Sequence, residues 1–187
     1  MRIVGGSYKG RTINAPTGQG TRPTSDRVRE SIFNILAHSI DDFNLSEISV
    51  VDVFAGTGAL GFEALSRGAK HATFIDSSRR ALDVVKQNSA TLGEWKNTTL
   101  LKLDATHFSP PPRAAKAPCG LAFLDAPYEQ ELTLPALLGI VNKGWVQSGS
   151  IVIVELAAKE EIELPRQYEQ LDERIYGAAR VLFLKVR

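Results

Sequence analysis

The sequence predicts an α/β fold: a mostly parallel sheet covered on both faces and finished by an antiparallel hairpin. Three observations carry that expectation. From Ile48 onward, short and nearly continuous apolar runs alternate with segments of helical periodicity, which is the pattern of strands buried on both sides and joined by crossover helices. The first run opens into a glycine-rich turn, Gly56-Thr57-Gly58-Ala59-Leu60-Gly61. The chain finishes on two strand-like segments around Gly177-Ala178, a hairpin that the common dinucleotide-binding sheet lacks.

Taken in order, residues 2–13 alternate loosely around Gly5-Gly6 and Gly10 and predict a short β-hairpin. Residues 14–24, punctuated by Pro16, Gly18, Gly20 and Pro23, predict an irregular loop. Thr24 or Ser25 then caps a helix to about His38, with Val28, Ile32, Ile35 and Leu36 on its apolar stripe. Strands are expected over 48–54, 71–75, 98–103, 120–124 and 151–156, and helices over 59–67, 78–92 and 132–141. Residues 109–118 contain Pro110-Pro111-Pro112 and Pro118, so no long helix runs there. The last two strands span 167–176 and 180–186. The expected division is an N-terminal extension over 1–40 and an α/β domain over 41–187.

Composition narrows the function classes. At 43% hydrophobic and 23% charged residues, the chain has the balance of a soluble globular domain. The net charge of +1 gives no global basic field, yet residues 1–34 hold six Lys/Arg against two acids, a local +4 that leaves −3 for the rest. Charge of one sign gathered at one end suits a phosphate-facing arm, and equally a solvated terminus. Cys119 is the single cysteine, which excludes an intrachain disulfide and a thiolate metal cluster. His38, His71 and His107 lack ligand-like spacing, so no metal site is expected. No run reaches the ~18 apolar residues of a membrane span and the start carries no signal-peptide pattern, so the expected compartment is the cytoplasm.

The turn after the first strand admits two readings. Gly56, Gly58 and Gly61 satisfy G-x-G-x-x-G, and Asp76 lies twenty residues beyond Gly56 at the end of the second strand, which fits a dinucleotide site with the acid on a ribose. Asp52, expected at the carboxyl end of the first strand, argues for the other reading. A carboxylate there opposes a pyrophosphate on the helix N-terminus but favours a cationic methyl donor, S-adenosylmethionine, whose ammonium and sulfonium carry no phosphate. Asp104, followed by Ala105 at the end of the third strand, would border the adenine and accept its amino hydrogens, or would only shape a turn.

The fourth strand ends in Asp125-Ala126-Pro127-Tyr128. An exocyclic amine on a nucleobase is a poor nucleophile because its lone pair delocalises into the ring. Two acceptors aimed at its hydrogens, the Asp125 carboxylate and the Ala126 carbonyl, would pull the nitrogen toward tetrahedral geometry. Pro127 confines residue 126 to extended conformations, and Tyr128 offers a face for a base to stack on, worth about 1–3 kcal/mol. Transfer of a methyl group to such an amine would then rest on positioning and on electrostatic support for the amine as it becomes cationic.

These residues resemble the bacterial ribosomal RNA small subunit methyltransferase D family. The likeness covers nearly the whole chain: Arg2-Ile3-Val4-Gly5-Gly6 with Lys9-Gly10-Arg11, then Arg22-Pro23-Thr24-Ser25-Asp26-Arg27-Val28-Arg29-Glu30, Phe33-Asn34-Ile35-Leu36, and Asp52 through Gly68. The family's usual tetrapeptide has proline where this chain has Ala126; the carbonyl and Pro127 remain, so activity is expected to survive. The resemblance implies a Rossmann-like class I methyltransferase sheet of seven strands, S-adenosylmethionine as cofactor, and methylation of N2 of a guanine in 16S ribosomal RNA within small-subunit particles. It assigns donor binding to Asp52, Phe54, Ala55, Gly56, Thr57, Gly58 and Ala59, with Asp76-Ser77 and Asp104-Ala105, and catalysis to Asp125, Ala126, Pro127 and Tyr128. It makes the N-terminal arm the RNA-facing element, with Lys9, Arg11, Arg22, Arg27 and Arg29 on phosphates and Thr24 and Asp26 beside them or shaping a loop over the donor. A guanine N2 is engaged in duplex pairing, so the target is expected in a loop or flipped out. The competing readings are a DNA or other RNA base N-methyltransferase, for which 187 residues leave little room for a target-recognition domain, a dinucleotide-dependent oxidoreductase, and a silent RNA-binding assembly factor.

Overall fold

The computed structural model describes residues 1–15, 25–128 and 131–187. Helix α1 (Asp26–His38) precedes the alternation β1 (Ser49–Val53), α2 (Ala59–Ser66), β2 (His71–Asp76), α3 (Arg79–Leu92) and β3 (Thr98–Lys102). Then come β4 (Leu121–Asp125), α4 (Thr133–Asn142), β5 (Ile151–Ala157), β6 (Tyr168–Tyr176) and β7 (Ala179–Val186). The seven strands form one sheet in the order β3-β2-β1-β4-β5-β7-β6. β1 to β5 are mutually parallel, and β7 runs antiparallel between β5 and β6. The chain steps outward from β1 to β3, then returns to place β4 on the other side of β1. Splaying connections at such a reversal leave a crevice beyond the carboxyl ends of the strands.

Strand periodicity divides the core in two. Val50, Phe74, Leu121, Phe123 and Phe183 face α1, α2 and α3, while their neighbours Val51, Val53, Ala122, Leu124 and Leu182 face α4, because successive side chains point to opposite faces. Ring pairs tie the layers: Phe33 to Phe123 at 5.7 Å and Phe62 to Phe74 at 4.7 Å on the first face, Phe108 to Trp145 at 5.5 Å on the second. No α-helix joins β3 to β4; the proline-rich connector takes its place on the second face. Its Ala115 carbonyl accepts from Thr73 Oγ1 of β2 at 3.0 Å and its Ala114 carbonyl from Thr99 Oγ1 of β3 at 2.9 Å. Trp145 Nε1 donates to the Ser109 carbonyl at 2.8 Å.

Two expectations for the first forty residues are corrected, the first only in its regularity. Residues 2–13 do double back as a short hairpin, but an irregular one. Beside the antiparallel Arg2–Thr12 bridge, the Ile3 amide donates to the Arg11 carbonyl at 3.0 Å, the Gly10 amide to the Ile3 carbonyl at 2.8 Å and the Ile13 amide to the Met1 carbonyl at 3.0 Å, and a 3-10 turn at Gly6–Tyr8 lies between. The intervening polar groups dock on α2. The Val4 amide donates to Glu63 Oε2 at 2.8 Å, the Tyr8 amide donates to Ser66 Oγ at 2.9 Å, and Ser66 Oγ donates to the Gly5 carbonyl. Gly6 holds φ +73° with the Ser66 backbone where a Cβ would stand, so a side chain there is excluded. The proposed boundary at residue 40 marks no break in packing, since Ile3, Ile13, Val28 and Phe33 share the core with Val50 and Phe123.

The second correction concerns Arg29, expected on phosphate. It is 0% exposed and donates through Nη2 to the Arg2 carbonyl at 2.6 Å and to Asp26 Oδ1 at 2.8 Å. Asp26 also accepts from Arg2 Nε at 2.9 Å, so its role is to join the opening segment to α1 while Ser25 caps the helix through the Val28 amide. A guanidinium buried inside this cluster cannot reach solvent phosphate. Arg11 stacks over Tyr8 and donates to the Thr91 and Leu92 carbonyls at the end of α3, where a cation satisfies orphan carbonyls.

Candidate active site

The turn from β1 into α2 is built by backbone conformations that few side chains tolerate. Phe54, Gly56 and Gly58 all have positive φ, at 63°, 53° and 77°. The glycines differ in purpose. A Cβ on Gly56 would meet almost nothing, so its bare backbone borders open space. A Cβ on Gly58 would lie 2.8 Å from Phe62, and one on Gly61 would lie 2.8 Å from Phe74 Cζ and 3.2 Å from Asp52 Oδ2. The third glycine is therefore a packing requirement between α2 and the sheet rather than a ligand-approach site, which amends the expectation for it. Asn88, fully buried on α3, holds the turn from outside by donating through Nδ2 to the Thr57 carbonyl and to the Asn14 carbonyl, each at 3.0 Å.

The acids named by the sequence converge. Asp52 is 2% exposed, and its Oδ2 accepts the Gly61 amide at 2.9 Å. Burial raises its carboxyl well above the usual range; the Gly61 amide opposes this, and the charges of Asp125 and Asp76 add to it. Asp76 Oδ2 accepts from the Gly56 amide at 3.0 Å and its Oδ1 from the Ser78 amide at 2.8 Å, which locks the end of β2 to the glycine turn. Asp104 lies two residues past the end of β3 and accepts from the Thr106 amide and hydroxyl at 2.9 and 2.7 Å. The turn-forming role of Asp104 is thus realised, and these bonds hold its carboxyl below the ordinary value.

One cleft of about 810 Å³ gathers these groups at the carboxyl ends of β1, β2, β4 and β5. Phe54, Ala55, Gly56, Thr57 and Ala59 line one wall, Asp76, Ser77, Asp104 and Ala105 the next. Asp125, Ala126, Pro127 and Tyr128 line it from the end of β4. Of the sequence-assigned donor residues only Gly58 is not a lining residue, because it faces Phe62 and Phe74. Lys9 and Arg27 are exposed on the N-terminal part, and Arg22 and Thr24 lie outside the described residues.

Sequence reasoning missed Glu155. It ends the Ile151-Val152-Ile153-Val154 run of β5, is 8% exposed, lines the cleft, and accepts at Oε1 from the Tyr128 hydroxyl at 2.8 Å. A charged residue closing an otherwise apolar buried strand was the available signal. With it, five carboxylates among the described residues line the cleft (Asp52, Asp76, Asp104, Asp125 and Glu155), against the guanidinium of Arg80. Such a field repels a pyrophosphate and attracts a cation.

Comparison with known proteins agrees with this geometry. The family described as Conserved hypothetical protein 95 matches residues 1–185. The chain belongs to this family. Its relatives include the Bacillus subtilis protein named "Putative rRNA methyltransferase YlbH", 36% identical over the whole of both chains. The Escherichia coli protein named Ribosomal RNA small subunit methyltransferase D is 34% identical over 95% of this chain and 85% of its own length. A solved structure titled "Putative methyltransferase yhhF from Escherichia coli" superposes with a TM-score of 0.81 at 29% identity, covering 100% of this chain and 98% of the other. As a methyltransferase of this family the chain has the expected seven-stranded sheet with its terminal hairpin, and the oxidoreductase reading of the glycine turn is overturned. The family resemblance drawn from the N-terminal residues also gains a physical basis. Glu63 and Ser66 of α2 are the groups on which Val4 to Tyr8 dock, with Arg67 just beyond the helix donating to Glu63, so the two motif segments are halves of one contact.

Proposed function

We propose that this methyltransferase uses S-adenosylmethionine to methylate N2 of a guanine in 16S ribosomal RNA carried by small-subunit particles. The observation that supports it is the convergence of the glycine turn, a ring of carboxylates and Tyr128 on one cleft. The cleft's volume falls within the range of about 300–1,000 Å³ typical of small-molecule sites. The residues present fit the donor: Asp76 would take the ribose hydroxyls, Gly56 leaves the backbone bare beside it, and buried Asp52 would sense the ammonium. When bound, the donor supplies an electrophilic methyl group on a sulfonium.

The chain's own residues then position the acceptor. The Asp125 carboxylate and the Ala126 carbonyl accept the two amino hydrogens, localising the nitrogen lone pair on the side facing the methyl. Tyr128 stacks the ring, and its hydroxyl, tied to Glu155, fixes the tilt of that face. After transfer the amine is acidic and gives its proton to Asp125 or to water. Lys9 and Arg27 reach for RNA phosphates, which position without reading sequence. The rRNA substrate is supported by relatives that are named rRNA methyltransferases.

Labelled S-adenosylmethionine incubated with the protein and undermethylated small-subunit particles is expected to place label on a guanine N2 of 16S RNA, mapped by nuclease digestion and mass spectrometry. Label on DNA or on adenine instead, or none at all with donor bound, would overturn the reading.

Donor binding should carry the signature of Asp52. Because its folded carboxyl is raised above the ordinary 3.8, it is protonated below that raised value and charged above it. A cation in the cleft favours the charged form, so binding releases a proton, and donor affinity falls by up to about tenfold per unit as pH drops through that window. Asp52→Asn is expected to flatten this dependence and weaken donor binding about 10–100-fold. The same linkage makes the donor-free variant more stable than wild type above the window, since the wild-type carboxyl loses stability as pH rises through its folded value. Calorimetric titration across pH checks both signs.

A further inference from the structure

We infer that Glu155 is the residue that selects guanine, by accepting the ring N1 hydrogen beside the amino group held by Asp125. The inference rests on the proposed guanine-N2 reading and adds the group that recognises the base. Three observations carry it. Asp125 and Glu155 are direct partners in the parallel register of β4 and β5. Their Cα atoms therefore sit about one strand spacing apart, roughly 5 Å, with side chains on the same sheet face. Both line the cleft at the strand ends, next to the stacking ring of Tyr128. Glu155 is nearly buried, and the Tyr128 hydroxyl fixes one of its oxygens at 2.8 Å, which leaves that carboxylate oriented rather than free to sweep.

Two adjacent carboxylates present acceptors alone. The pairing edge of guanine matches them, since N1–H and the N2 amino group are adjacent donors. Adenine and cytosine each present a ring-nitrogen lone pair next to their amino group, and a lone pair facing a desolvated carboxylate is repelled. The N1 hydrogen of guanine is a donor that no other standard base offers at that distance from the reacting amine. Tyr128 hydrogen-bonded to Glu155 also couples ring stacking to edge recognition, so a base that seats on the ring presents its edge to the same acid.

The test uses particles or RNA in which the mapped target guanine is replaced by 2-aminopurine, which keeps the 2-amino group and has a lone pair at N1 in place of the hydrogen. Wild-type protein is expected to prefer guanine over 2-aminopurine by about 10²–10⁴-fold in kcat/KM, the range by which sites that bond a substrate hydrogen reject analogues lacking it. Glu155→Gln, whose amide can donate to the N1 lone pair, is expected to bring that ratio within about tenfold of one while donor affinity stays near wild type. Tyr128→Phe, which removes the hydroxyl but not the carboxylate, lowers the rate and keeps a strong guanine preference. Wild-type protein that uses both bases equally would overturn the inference without any variant. So would a Glu155→Gln protein that keeps the wild-type ratio, or a Tyr128→Phe protein that loses it as fully as Glu155→Gln does, because Glu155 would then act only by holding the ring. If wild-type protein methylates no guanine N2 at all, the underlying reading fails; if it methylates guanine but the ratio does not move, only the role of Glu155 fails.

Discussion

Replacing Asp125 by alanine is expected to lower turnover by about 10²–10³-fold, the cost of removing one preorganised group from a developing charge, while donor affinity changes by no more than a few-fold. The split follows from geometry. Asp125 ends β4, whereas the donor's assigned partners, Asp52, Asp76 and Gly56, belong to β1, β2 and the turn between β1 and α2. An interaction made mainly with the reacting amine lowers kcat and kcat/KM together and leaves ground-state donor binding intact. The charge of Asp125 also contributes to the raised carboxyl of Asp52, so its removal should ease Asp52 ionisation and tighten donor binding slightly. Single-turnover rates beside calorimetric donor titration decide the matter. Equal losses in both would make Asp125 a structural residue.

The largest stability effect is expected at Glu63. This carboxylate is fully buried on α2, with Oε1 accepting from Arg67 Nε and Oε2 from the Val4 amide, both at 2.8 Å. Arg67 in turn lies 4.9 Å from the Phe33 ring centre, so the opening segment, α2 and α1 meet at one charge. Glu63→Gln keeps the volume but turns an amino group toward one of two donors, so a buried donor loses its acceptor. Breaking such a pair costs about 3 kcal/mol, which for a domain of this size lowers Tm by about 6–12 °C. Amide exchange should accelerate first in residues 1–14, which hang on this contact. Donor affinity should fall modestly as well, because Asn14 and the Thr57 carbonyl share Asn88. A variant with wild-type Tm and unchanged exchange at Val4 would show that the segment is held elsewhere.

Much of the molecule was legible because its signals are local. The buried strands announce themselves as apolar runs, and Ser25 as a cap that accepts the Val28 amide. The four residues at the end of β4 and the turn after β1 were readable as chemistry because each is contiguous. What failed was non-local. Arg29 stands in a run of basic residues, and nothing in its neighbourhood distinguishes it from exposed Arg27; its burial depends on Arg2 folding back across α1. The opening residues carry hairpin-like alternation and do pair across it, yet nothing in that alternation shows that the Val4 and Tyr8 amides dock on Glu63 and Ser66, about sixty positions away. Gly61 fits a ligand fingerprint by spacing, while its need for a missing Cβ comes from Phe74 on the neighbouring strand.

Hydrophobic period, helix caps and short polar motifs determined by themselves the order of strands and helices along the chain and the identity of four of the five acids that line the cleft among the described residues. These are properties of residues within a turn or a strand of one another, where propensity and burial act directly. Tertiary structure alone decided that Glu155 joins Asp125 side by side, that burial raises the Asp52 carboxyl, and that Arg29 and Arg11 hold the fold together. Those outcomes depend on strand register and on which side chain reaches a buried partner first, and such distances between remote parts of a chain exist only once it has folded.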